Sequence, residues 1–97
     1  MAFEIEVTEQ AEGDLDRIRR FYRNQILDAI ERNLRHRPQR VSRTRIKRLR
    51  SVDSPGYRLR VGDFRIFYDV NEVEGRVIIL RVVSKEEALR YLEGRRS

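Results

Sequence analysis

The sequence predicts an α+β fold in which one antiparallel sheet carries helices on one face. Apolar and polar residues alternate in short runs at residues 3–7 and between residues 44 and 70, which is typical of half-buried strands. Residues 8–35 instead repeat apolar side chains at helical spacing. A capping pattern then begins a short helix near the C-terminus. The predicted order is β-α-α-β-β-β-β-α, in one domain spanning residues 1–97.

The N-terminal third is predicted to form a strand and a helical hairpin. Phe3, Ile5 and Val7 alternate with glutamates, and Thr8 can cap the following helix. Two apolar stripes follow, rotated by roughly 100° from each other, which one straight helix would not accommodate. We therefore predict a break near Arg23–Asn24, although a single curved helix is the alternative because no glycine or proline marks it. The stripes are Ala11, Leu15, Ile18 and Tyr22, and then Ile26, Ile30 and Leu34.

Four strands and a final helix are predicted in the rest of the chain. The pair Gly62-Asp63 is a turn between two alternating strands. The last strand is almost continuously apolar, which is typical of a strand covered on both faces. Ser84 and Glu87 have the capping-box spacing that begins a helix, and Gly94 ends it. The predicted strands are Thr44–Arg50, Tyr57–Val61, Phe64–Val70 and Arg76–Val83.

Alternation along the strands also predicts a sheet face that carries arginines. If Tyr57, Leu59 and Val61 point at the helices, then Arg58 and Arg60 point away from them, and Arg65 joins them by the same parity. We call Arg58, Arg60 and Arg65 the arginine face. Because like charges repel, this face favours an anionic ligand. Phe67 is predicted on the same face, where it can stack on a base or be buried under a protein partner.

Charge is distributed unevenly along a chain whose net charge is +6. Residues 4–16 contain six acids, whereas residues 32–50 contain nine bases and no acid. Such a separation attracts polyanions, and the planar fork of arginine matches phosphate oxygens. The alternative is a solvated helix end and loop. For His36 we favour a phosphate or ribosomal contact over the role of a lone catalytic base. We assign RNA binding to five basic residues of this segment: Arg43, Arg45, Lys47, Arg48 and Arg50.

Several classes of site and location are not expected. The chain has no cysteine and one histidine, so we predict neither a disulfide nor a metal site. Its glycines form neither a phosphate-binding loop nor a dinucleotide fingerprint, and we predict no cofactor. No apolar run approaches the roughly 20 residues that cross a bilayer, and the N-terminus lacks the basic residues of a signal peptide. We therefore expect a cytoplasmic protein without a membrane partner.

Two segments of the second half, YRLRVGDFRIFYDV and VIILRVVSKEEALRYL, resemble the RelE/ParE superfamily of toxins from type II toxin–antitoxin modules. The resemblance covers about residues 3–92 and implies a RelE-like fold. It also implies a cognate antitoxin, for which we expect an acidic, amphipathic segment that covers the arginine face. RelE-like members cleave messenger RNA in the ribosomal A site, whereas ParE-like members poison DNA gyrase. The basic segment at residues 32–50 favours the first activity.

The same resemblance implies a set of catalytic residues. Arg58 and Arg60 match basic residues of the third strand, Arg65 matches an arginine of the fourth strand, and Tyr91 matches a tyrosine of the last helix. Lys85 stands at the junction before that helix, where many members carry arginine within a His-Arg pair. The pair Ser84-Lys85 keeps a cation there but lacks the planar fork that clamps phosphate.

Attack of a ribose 2′-hydroxyl on its phosphate needs in-line geometry, neutralised charge and proton transfer. Arginines supply the charge but do not give up protons near neutrality, so Lys85 is the better acid or base and Tyr91 can stack or donate. The two lie about 120° apart around the helix axis and converge only at its N-terminal edge. The alternative reading makes Lys85 a solvated residue and Tyr91 part of the core. A fold-mate that binds only its partner is a third functional hypothesis, beside the nuclease and the gyrase poison.

Overall fold

The structure is a computed structural model, and it describes residues 2–96. Three helices and five strands follow one another in the predicted order, which confirms the α+β class. The strands form one sheet in the order β1-β5-β4-β3-β2. The elements are β1 (Glu4–Val7), α1 (Glu9–Asp16), α2 (Arg20–Leu34), β2 (Ile46–Arg48), β3 (Tyr57–Val61), β4 (Phe64–Asn71), β5 (Arg76–Ser84) and α3 (Lys85–Glu93).

The sheet is mixed, because its first strand pairs in parallel. Strands β2 to β5 are antiparallel neighbours, as the short turns between them require. Strand β1 instead lies parallel to β5, from Glu4 opposite Arg76 to Val7 opposite Ile79. Helices α1 and α2 carry the chain from β1 to the opposite edge of the sheet, where β2 begins. No tight turn therefore constrains the direction of β1.

The predicted helical hairpin is present, but its break lies at residues 17–19 rather than at Arg23–Asn24. Arg19 adopts extended backbone angles (φ −54°, ψ 143°), and none of the described side chains caps the start of α2. Ile18 packs against the main core. Tyr22 does not continue the first stripe: it is exposed on α2, with its ring centroid 5.9 Å from that of Phe64. We therefore attribute the position of the helix break, at residues 17–19, to the contact between Ile18 and the core.

Strand β2 is shorter than the predicted Thr44–Arg50. It pairs with β3 only from Ile46 to Arg48. The Ser42 hydroxyl accepts the backbone N–H groups of Arg45 and Ile46, both at 3.0 Å, so the preceding residues form a turn. Beyond β2, Leu49 turns beneath α3.

The main core lies between the sheet and the helices α1 and α2. Buried Leu59 and Ile66 confirm the predicted parity of β3 and β4. Tyr68 is fully buried there, and its hydroxyl donates a 2.6 Å hydrogen bond to the carbonyl of Pro38. This bond attaches the basic loop after α2 to the sheet. Within residues 2–96, no helix is long and apolar enough to cross a membrane.

Helix α3 covers part of the opposite sheet face, which gives β5 the predicted cover on both faces. Its capping box is formed by Ser84 and Glu87, as predicted. Val77, Ile79 and Val82 of β5 join the main core, whereas Val83 packs beneath α3. We call the packing under this helix the α3 cluster: Leu49, Val52, Phe67 and Val83, with Ala88, Tyr91 and Leu92.

Candidate functional site

The arginine face lies on the sheet surface opposite α1 and α2. Arg60 and Arg65 are direct cross-strand partners on β3 and β4. Arg58 has Lys47 opposite it on one side and Phe67 on the other. Strand alternation alone therefore places four cations on one continuous surface beside α3.

Arg58 is the most enclosed cation of this surface. It is half-buried, and its Nε is buried without a hydrogen-bond partner among residues 2–96. Burial, followed by the charges of Arg65 and Arg60, holds the pKa of Arg58 below its ordinary value. A guanidinium that is desolvated beside like charges is stabilised by a bound anion. The arginine face therefore concentrates positive charge of the kind that favours an anionic ligand.

Arg65 and Lys85 meet at the turn between β3 and β4. The Nη1 of Arg65 donates to the carbonyls of Gly62 (2.9 Å) and Phe64 (3.0 Å). The backbone N–H of Lys85 donates to the carbonyl of Asp63 over 2.8 Å, and its Nζ lies 3.6 Å from Asp63 Oδ1. Both side chains of that ion pair are largely exposed, so it contributes little stability and is easily opened.

Tyr91 lies apart from this turn, deeper under α3. Six residues separate it from Lys85, which is about 9 Å along the helix axis. Its ring centroid is 4.9 Å from that of Phe67 and 5.5 Å from the Arg81 guanidinium carbon. Burial raises the pKa of Tyr91, which the charges of Arg95 and Arg81 oppose. The hydroxyl therefore stays protonated near neutrality.

Phe67 lies on the predicted face but is fully buried within the α3 cluster. Its assignment to RNA stacking is therefore wrong for this structure, because Tyr91 already covers the ring. Sequence analysis gave burial under a protein partner as the alternative for Phe67. The ring is buried, but the residues that cover it belong to α3 of the same chain.

The basic segment divides by strand parity. Arg48 is turned away from the arginine face: its Nη1 donates to the carbonyl of Gly56 over 2.8 Å, and its guanidinium lies 5.0 Å from the ring centroid of Tyr57. These contacts direct the Arg48 side chain towards Tyr57, and its RNA contact stays a prediction. All five residues of the predicted set are exposed, and Lys47 borders Arg58: Arg43, Arg45, Lys47, Arg48 and Arg50.

Sequence reasoning gave no role to Asp14 or Arg81, which form an ion pair beside Tyr91. The Asp14 carboxylate is only 6% exposed and accepts from Arg81 Nε (2.7 Å) and Nη2 (3.1 Å). Two signals were available in the sequence. Asp14 stands on the apolar stripe of α1, three residues after Ala11, and Arg81 interrupts the apolar run of β5.

Similarity to known proteins supports the resemblance seen in the sequence. Residues 5–89 match the sequence model of the family described as the ParE toxin of the type II toxin–antitoxin system, parDE. No curated protein matches the chain.

Solved structures share the fold at low sequence identity. The toxin–antitoxin complex RelBE2 from Mycobacterium tuberculosis superposes with a TM-score of 0.71 at 23% identity, covering 87% of this chain and 99% of that one. The archaeal RelE–RelB complex from Pyrococcus horikoshii gives 0.72 at 21%, covering 88% and 97%. The isolated RelE toxin of E. coli gives 0.67 at 17%, covering 94% and 99%. The chain belongs to the ParE toxin family of type II toxin–antitoxin systems, within the RelE/ParE superfamily.

Proposed function

We propose that this toxin is a ribosome-dependent messenger RNA endoribonuclease. The observation that carries the proposal is the arginine face, where Arg58 is enclosed beside Arg60 and Arg65 with its Nε unpartnered among residues 2–96. Such a cluster can neutralise the charge that develops when a ribose 2′-hydroxyl attacks the neighbouring phosphate. Arg65 would clamp the reacting phosphate, because its guanidinium is already oriented by two backbone carbonyls.

Lys85 and Tyr91 are the proposed proton-transfer groups. Lys85 contacts the same turn as Arg65, where its Nζ lies 3.6 Å from the exposed carboxylate of Asp63. Burial raises the pKa of Tyr91, so its hydroxyl carries a proton near neutrality, and we assign it the role of donor to the leaving oxygen. Because Tyr91 lies beyond Phe67, the substrate would have to extend from the turn along the edge of α3.

The exposed bases outside this centre would hold RNA in place. Lys47 lies opposite Arg58, and three further exposed bases flank β2 in the chain: Arg43, Arg45 and Arg50. A protein that enters the ribosome meets RNA on several sides, and such contacts add affinity without sequence preference. Action on translated messages would place the toxin in the cytoplasm.

A cognate antitoxin is the proposed regulator. The similar structures from M. tuberculosis and P. horikoshii are complexes of a toxin with its antitoxin. We propose that an acidic, amphipathic segment covers the arginine face of this chain and relieves the repulsion among Arg58, Arg60 and Arg65. The same segment would exclude RNA by occupying its phosphate positions.

Poisoning of DNA gyrase is the second candidate. The family model that the chain matches is that of ParE toxins, and Ser84-Lys85 replaces the His-Arg pair of many RNA-cleaving members. The test is induction of the toxin without antitoxin, with primer extension on one message in translated and untranslated forms. New 5′ ends in the translated form alone support the nuclease. Intact transcripts beside accumulating double-strand DNA breaks would replace it with the gyrase poison.

A further inference from the structure

Asp14 is a buried carboxylate of α1 that bonds to two consecutive residues of β5, Arg81 and Val82. Besides the two bonds from Arg81, it accepts the backbone N–H of Val82 over 2.8 Å. Arg17 adds a longer contact of 3.4 Å from the surface. A carboxylate that is 6% exposed and accepts both a guanidinium fork and a backbone amide is rigidly held.

The bonds of Asp14 lie next to the position in β5 where the alternation of side chains between the two sheet faces shifts by one residue. Strand β1 pairs with β5 only as far as Ile79, and α1 covers the open edge beyond that point. A bulge follows: Tyr68 pairs with Ile79 and Phe67 with Arg81, so Leu80 is the extra residue. Without the bulge, Arg81 would point into the main core with Val77 and Ile79. The extra residue turns it to the α3 side instead.

Residues at the two ends of α1 form hydrogen bonds with β5 on both sides of the bulge. The hydroxyl of Thr8 donates to the carbonyls of Ile79 (2.9 Å) and Leu80 (3.2 Å), on the near side. Asp14 takes the N–H of Val82 and the side chain of Arg81 on the far side. The bulge is therefore part of the α1 contact and not a local irregularity of β5.

Arg81 connects Asp14 to the last helix, because its guanidinium bonds to Asp14 and also contacts Tyr91. Its guanidinium lies 5.5 Å from the centroid of the Tyr91 ring, and the Phe67 centroid lies 4.9 Å from the same ring. None of the residues Lys85–Glu93 of α3 is fully buried, and Tyr91 is held by its packing in the α3 cluster together with its contact with Arg81. A guanidinium that is fixed by a carboxylate restricts the position of an aromatic ring more than a guanidinium that is free to move.

We propose that Asp14 is a positioning residue that, through Arg81, holds Tyr91 in its place for RNA cleavage. The catalytic part of this inference rests on the proposed nuclease function. Asp14 lies on α1, away from the arginine face, and it acts on the geometry of Tyr91 rather than on substrate. Misplacing a proton donor slows the chemical step but leaves the phosphate contacts of the arginine face intact.

The test compares Asp14→Asn, Tyr91→Phe and the double variant with the parent protein, using single-turnover cleavage on programmed ribosomes. Asp16→Asn is the matched control, because it removes an exposed carboxylate of the same helix. We expect Asp14→Asn to lower the cleavage rate by up to about a hundredfold, with unchanged affinity for the ribosome. In the Tyr91→Phe background the same change should cost nothing further. Equal losses in both backgrounds, or no loss at all, would overturn the proposal.

A readout without RNA separates this inference from the nuclease proposal. In the parent and in Asp16→Asn, NMR should show ring-to-ring contacts between Phe67 and Tyr91, and Asp14→Asn should lose them. If the parent protein does not cleave, the nuclease proposal fails, and retained ring contacts in Asp14→Asn would separately defeat the positioning role. Should Asp14→Asn fail to fold, Arg81→Lys keeps the bond from Val82 to Asp14 but removes the fork. It should show the same losses, and parent-like behaviour of Arg81→Lys would refute the inference.

Discussion

The backbone N–H of Lys85 donates a 2.8 Å hydrogen bond to the carbonyl of Asp63, so the last helix begins against the turn between β3 and β4. The Arg65 guanidinium donates to the carbonyls on both sides of Asp63, those of Gly62 and Phe64. Two cations from different parts of the chain are therefore attached to the same turn.

Replacing Arg65 with alanine should remove most toxicity and keep the fold. Its two bonds to turn carbonyls are partly exposed, and we expect a stability loss of about 1 kcal/mol or less. Loss of a phosphate-clamping donor should instead raise the barrier by about 2.7–4 kcal/mol. Growth arrest and thermal melting would be measured together, with Arg76→Ala as a surface control at the far end of β5. A variant with parental toxicity and the same melting temperature would remove Arg65 from the site.

Lys85→Arg and Lys85→Ala should both lose most cleavage, because neither side chain can take up and release a proton near neutrality. The Lys85 ammonium is 53% exposed, so substrate and solvent can reach it beside Asp63. Arginine preserves the positive charge and adds a planar fork, so this variant separates charge stabilisation from proton transfer. Single-turnover rates across a range of pH would test this. Cleavage retained in Lys85→Arg would reduce Lys85 to a source of charge, and unaffected cleavage in Lys85→Ala would remove it from the reaction.

Charge reversal at Arg58 and Arg60 should weaken antitoxin binding strongly, and raising the salt concentration should reduce the difference from the parent. Because the antitoxin would bind only the folded toxin, it should also stabilise the toxin by about 4 kcal/mol at a thousand-fold excess over the dissociation constant. Calorimetry on Arg58→Glu with Arg60→Glu would measure the effect, with Arg20→Glu plus Arg23→Glu on α2 as the control. If the variant at Arg58 and Arg60 binds the antitoxin as the parent does, and the variant at Arg20 and Arg23 loses affinity, the interface lies on the helices at residues 8–35.

Stability should fall as the pH rises above the ordinary tyrosine pKa of 10.0. Burial raises the pKa of Tyr68, and the same cause raises that of Tyr91. A raised pKa contributes stability in full below the unfolded value and loses it as the pH rises towards the folded value. Urea midpoints between pH 8 and pH 11 would show the slope.

Tyr68→Phe should flatten that slope while costing about 1–3 kcal/mol at neutral pH, because the carbonyl of Pro38 loses its donor. Tyr22→Phe is the control, since Tyr22 is exposed on α2. An unchanged alkaline slope in Tyr68→Phe would assign the effect to another group.

The sequence by itself determined the features that depend on neighbouring residues. The alternation of β3 and β4 placed Arg58, Arg60 and Arg65 on one face, because successive side chains of a strand point to opposite sides. The capping box at Ser84 and the cap at Thr8 were likewise predictable, since their hydrogen bonds span three residues.

Tertiary contacts decided the rest. The helix break followed the burial of Ile18 rather than the rotation of apolar stripes, and β1 took a parallel neighbour more than sixty residues away, as Glu6 opposite Ile78 shows. The bulge at Leu80, which α1 contacts, turns Arg81 towards Tyr91. Helix α3 covers Phe67, whose position on the side of the arginine face was predicted correctly. Periodicity reports which side of an element a residue occupies. It does not report which distant element will pack there, because that depends on the packing free energy of the whole domain.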